Sequence, residues 1–148
     1  MFDKILAIFA SETPEAFDPE DARVAMAGLL VRIAKSDGQY DAEELAHIDR
    51  VLAKRYNLNP VEAAKLRVVG EDFEAQAPDT VRFTSTIKQA VPYEDREGVV
   101  EALWDIVLAD GTRSIEEDAI LRTASKFLGV NDRDSHLARQ RVEAAQKT

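Results

Sequence analysis

The chain has 148 residues, 28 of them acidic and 19 basic, for a formal net charge of -9 at neutral pH. A field of that sign repels nucleic-acid phosphate and anionic lipid, so no nucleic acid is expected, and cations and basic protein surfaces are the expected partners. The absence of cysteine excludes disulfides, thiolate metal sites and a cysteine nucleophile, and points to a reducing compartment.

The length suits a single domain over residues 1–148, one that buries roughly two thirds of its unfolded surface and needs no covalent staple. Apolar residues recur at helical spacing nearly throughout, and strand-like alternation is almost missing, so the fold class is all-α. In the first segment, "MFDKILAIFA", Phe2, Ile5, Leu6 and Phe9 follow the spacing of a short amphipathic helix docked on the core. That run is too short to span a membrane and lacks a basic leader and cleavage site, so a cytoplasmic location is expected.

Asp18-Pro19 opens the next helix, with a capping side chain ahead of a proline, and Ala27, Leu30, Val31 and Ala34 form its buried stripe up to Gly38. A helix from Asp41 to about Tyr56 buries Leu45, Ile48 and Leu52. Asn59-Pro60 starts another, with Glu62 completing a capping box, Val61, Ala64 and Val68 facing inward, and Gly70 as its stop. "EDFEAQAPDT" reads as a loop. Thr80 to Val91 forms a helix that Pro92 ends, and Glu94 to Ala109 is strongly helical through Val100, Leu103, Trp104 and Val107. Ser114 to Leu128 follows, stopped by Gly129, and Asn131 caps the last helix. The total is a bundle of about seven to eight helices.

One figure occurs twice. Residues 36–45 read "SDGQYDAEEL" and residues 109–118 read "ADGTRSIEED". Placing position 22 against 95 aligns eight identities: Arg23/Arg96, Leu30/Leu103, Ile33/Ile106, Asp37/Asp110, Gly38/Gly111, Glu43/Glu116, Glu44/Glu117 and Ala46/Ala119. The chain therefore carries an internal repeat of a helix-turn-helix hairpin, with copies at about 20–58 and 93–131. A pseudo-twofold pairing of the copies would bring the two turns near each other.

Helix punctuation explains part of this repetition. Gly38 and Gly111 suit the left-handed position that closes a helix, while Asp41…Glu44 and Ser114…Glu117 have the form of capping boxes. Asp37 and Asp110 are different, because a carboxylate at a helix C-terminus meets the negative end of the macrodipole. A divalent cation between the Asp and Glu oxygens would reverse that penalty. Two Asp and two Glu make a hard, all-oxygen set suited to Ca²⁺, Mg²⁺ or Mn²⁺. The form is not an EF-hand, whose loop needs acids at positions 1, 3 and 5, Gly at 6 and Glu at 12. Ligands from both hairpins, or water, would have to complete the shell.

An A/S-D-G turn followed by an E-E pair, found twice in an acidic helical chain, resembles the TerB-like family of tellurite-resistance proteins. The resemblance covers roughly Asp18 to the end, with Ser36 standing where the family turn has Ala. It implies a small helical cytoplasmic bacterial protein with a metal site at Asp37, Glu44, Asp110 and Glu117.

Other chemistries find less support. Glu44 and His47 form the E-x-x-H of di-iron carboxylate helices, but Ile120 replaces the histidine in the second copy. His47 is expected to pair with Glu43 at the surface, and His136 stands in no constellation. No nucleotide, serine-hydrolase or zinc-protease fingerprint occurs, so no enzyme is expected. The two readings that remain are a metal-binding or metal-sensing module in a stress response, and an acidic protein-interaction domain without a metal.

Overall fold

A computed structural model describes residues 19–36, 38, 40–76, 80–109 and 115–146. The stripe from Phe2 to Phe9, Asp37, Asp110, Gly111 and Ser114 lie outside the described residues. Those that are described form seven helices and no strand: α1 (Pro19–Lys35), α2 (Ala42–Tyr56), α3 (Pro60–Gln76), α4 (Thr80–Ala90), α5 (Tyr93–Leu108), α6 (Ile115–Phe127) and α7 (Asp132–Gln146). None of them is long and apolar enough to cross a membrane.

The bundle is organised around α1. From Val24 to Val31 every residue is buried, as are Ile33 and Ala34, and a helix apolar on all sides belongs at the centre of a fold. Helices α2 to α6 all pack against it. Its closest neighbour is α3, where a Cβ placed on Gly70 would stand 2.6 Å from the Ala27 Cβ. Beside that crossing, the Phe73 and Phe83 rings stack with centroids 5.2 Å apart.

The helix ends follow the capping logic of the sequence. Asp41 accepts from the Glu44 amide at 3.1 Å, and Asn59 and Glu62 exchange bonds of 2.8 and 3.0 Å in a complete capping box. Asn131 accepts from the Asp134 amide at 2.8 Å. Gly38 and Gly129 take φ of 82° and 79°, the left-handed conformation that a side chain opposes. Asn57 does the same at the end of α2 with φ 54°, a conformation asparagine tolerates.

Helix α3 departs from the sequence reading in two ways. It continues past Gly70 to Gln76, so most of the segment read as a loop is helical. It also presents a different face: Ala63, Gly70 and Phe73 are buried, Val61 and Val68 are 63% and 47% exposed, and Ala64 is half-buried. The cause is Gly70 itself, whose missing side chain lets α3 lie against the backbone of α1. That contact rotates the valines outward. A smaller departure is Leu45, half-buried rather than in the core.

The stretch rich in Thr and Val does form α4. Thr84 is buried and turns its hydroxyl back to the Val81 and Thr80 carbonyls at 3.0 and 3.2 Å, so its polar atom is satisfied inside the helix. Arg96, near the start of α5, donates to the Lys88 and Val91 carbonyls at 2.9 and 3.0 Å, placing a cation at the negative end of α4.

Candidate metal centre

The first turn begins where α1 ends. Ser36 folds its hydroxyl onto the Ile33 carbonyl at 2.7 Å, and the Gly38 amide donates to the Lys35 carbonyl at 3.0 Å. Asp41 then starts α2, which puts Glu44 in its first turn. In the second copy the Ala109 amide closes on the Ile106 carbonyl at 3.3 Å, and Glu117 is the third residue of α6. Each glutamate thus sits at the positive end of its helix dipole, which stabilises negative charge.

The two glutamates meet at one cavity. It has a volume of about 160 Å³ and is lined by Glu44 and Glu117, by Asp41, Glu43 and His47 of the first copy, and by Ile106 and Ala109 at the end of α5. Glu117 is buried at 6% exposure, while Glu44 is half-buried. Of the four residues singled out by the repeat, these two are brought together. Among the described residues no group of three or more His, Asp or Glu side chains is arranged to hold a metal ion.

Three of the other lining side chains carry different expectations from the sequence. Asp41 is expected as helix punctuation and Glu43 with His47 as a surface pair, though their place beside Glu44 points to the same cavity. The expected pairing of His47 with Glu43 is replaced by a hydrogen bond from the Arg50 guanidinium to His47 Nδ1. Arg50 stands one helical turn further along α2, within easy reach of the ring.

Tyr40 went unnoticed as well. It belongs to the first turn, and its hydroxyl donates to Glu71 Oε2 on α3 at 2.6 Å. Burial and the hydrogen bond to the Glu71 carboxylate push its phenol well above the ordinary tyrosine value, so it remains a neutral donor. Glu71 also takes Arg67 at 3.2 Å, and Arg67 reaches Asp49 of α2 at 2.6 Å.

A second cavity, about 410 Å³, opens between α2, α5 and α7. It gathers no comparable set of oxygens, because acids and bases alternate around it: Glu101, which lines it, pairs with Arg141.

The family model of tellurite resistance protein TerB matches residues 23–140. The chain belongs to the TerB family. No curated protein and no solved structure matches it. The TerB match begins inside α1 and ends inside α7, so it contains both turns and the whole lining of the smaller cavity.

Proposed function

We propose that this TerB-family chain is a non-enzymatic module that binds a divalent cation through Asp37, Glu44, Asp110 and Glu117. The observation that carries the reading is that Glu44 and Glu117, equivalent residues of the two copies, line one cavity, with Glu117 almost wholly buried. Carboxylates gathered in a partly dehydrated space repel each other, and a hard cation offsets that repulsion. The donor set is all oxygen, which favours Ca²⁺, Mg²⁺ or Mn²⁺ over softer metals. Asp37 and Asp110 supply the other two carboxylates in this proposal. The role proposed for the module is in a stress response of the tellurite-resistance type, where ion occupancy would alter the stability of the two turns.

The test is a titration of the purified protein with CaCl₂, MgCl₂ and MnCl₂ at fixed ionic strength. An ion at a hundred times its Kd stabilises the fold by about 2.7 kcal/mol, which at this chain length raises the melting temperature by roughly 5 to 10 °C. Replacing Asp37→Asn together with Asp110→Asn should abolish the response without harming the ion-free fold. A parent protein with an unchanged melting temperature and no heat of binding across millimolar concentrations of all three ions would refute the metal site and leave the acidic protein-docking reading.

A further inference from the structure

We propose that the cavity between α2, α5 and α7 binds a small organic monocarboxylate, with Arg55 as the residue that receives its charge. The cavity shares no lining residue with the acidic one, so the proposal stands independently of the cation reading. Its volume of about 410 Å³ is that of an ordinary small-molecule pocket, roughly 300 to 1,000 Å³. Val51, Ala102 and Val142 give it an apolar wall, and Lys54, Arg55 and Arg141 bring positive charge to it.

The two arginines differ in how their charge is met. Arg141 is matched by Glu101, with which it hydrogen-bonds, and by Glu97 at 3.7 Å. Arg55 is half-buried, and among the described residues no Asp or Glu forms an ion pair with it. Its Nε is buried without a hydrogen-bond partner, and its described neighbour is the Tyr56 ring, with the centroid 5.7 Å away. A guanidinium short of acceptors in a partly dehydrated place is costly, and its planar fork is shaped for a carboxylate. Of the two acids in the lining, Glu101 is already taken by Arg141. Asp105 adds a second negative charge, which favours a ligand with a single carboxylate over a multiply charged anion.

Gly98 shows how the guanidinium is seated. It lies inside α5, where alanine would be the better helix former. A Cβ there would stand 2.9 Å from Arg55 Nη1, and the next two nearest atoms belong to the same guanidinium. The missing side chain thus lets Arg55 rest against α5 at the wall of the cavity. The aligned position of the other copy is Ala25, a core residue, so the seat belongs to one copy alone.

The test titrates hexanoate, hexanol, hexylamine and inorganic phosphate, each alone and at fixed ionic strength, into the isotope-labelled full chain, with amide shifts read by NMR. Hexanoate should saturate a set of shifts centred on Val51, Gly98, Ala102 and Val142, and bind about 10-fold more tightly than the alcohol or phosphate. The net charge of -9 draws the amine to any unspecific place, so a preference for the carboxylate has to come from local cations. Arg55→Met keeps the length of the stem and should lose about 10-fold. Gly98→Ala should lose a similar factor while its melting temperature equals or exceeds that of the parent, because the new methyl displaces only the flexible end of Arg55. Lys65→Met, which removes the same charge from an exposed position on α3, should bind like the parent. Undiminished binding by Arg55→Met or Gly98→Ala overturns the proposal, as does an equal loss in Lys65→Met. Hexylamine or phosphate binding as tightly as hexanoate, or a parent that takes up no hexanoate, overturns it too.

Discussion

Tyr40 gives the pH response of this fold a definite sign. Its phenol is held protonated in the native state, first by burial and then by the hydrogen bond to Glu71. The unfolded tyrosine releases its proton near pH ~10, so the contribution is complete below that value. Above it, stability falls as pH climbs towards the raised native value, because the unfolded chain binds fewer protons than the folded one. Denaturation followed between pH 9 and 11 should therefore show a steeper loss in the parent than in Tyr40→Phe. Some slope should persist in the variant, since burial raises Tyr56 in the same direction. Identical slopes would mean that neither burial nor the bond to Glu71 holds this phenol protonated in solution.

Among the helices, α3 carries the sharpest test of packing. Alanine is normally about 1 kcal/mol better than glycine inside a helix. At Gly70 the new methyl would meet the Ala27 Cβ at 2.6 Å and the backbone of Ala27 and Gly28 at 2.9 Å, contacts that backbone cannot relieve cheaply. Overpacking of this kind costs about 1 to 3 kcal/mol, so Gly70→Ala should lower the melting temperature by a few degrees. A rise would show that α1 and α3 stand further apart. The same residue marks where sequence reading stopped. Capping pairs such as Asn59 with Glu62 are local, and they could be read directly. The inward face of α3 could not, because Val61, Ala64 and Val68 make one apolar stripe and Ala63 with Phe73 another. A close approach to a helix 43 positions away decides between them, Gly70 lying against Ala27. The candidate site divides in the same way. Glu44 and Glu117 were legible because they repeat at one spacing, whereas the bond from Tyr40 to Glu71 has no local signature.

For the whole molecule, burial of α1 on every side predicts an order of opening. Helices α2 to α6 each cover part of it, so its amides open when the bundle as a whole does. In hydrogen exchange the amides from Val24 to Ile33 should be the last to exchange, at a rate that tracks global unfolding. Faster exchange there than in α7 would place the stability centre elsewhere. The single tryptophan offers a different vantage. Trp104 is nearly buried on α5, donates to Ser135 of α7 at 3.3 Å and lies under the Arg139 guanidinium. Two residues further on, Ile106 points to the other side of α5 and lines the acidic cavity. The protein thus carries an intrinsic fluorophore turned away from its candidate site. Its emission colour will register the loss of the α5–α7 seam, while ion occupancy has to be followed by heat or by a dye placed on the opposite flank, where the lack of native thiols leaves a free choice of attachment point.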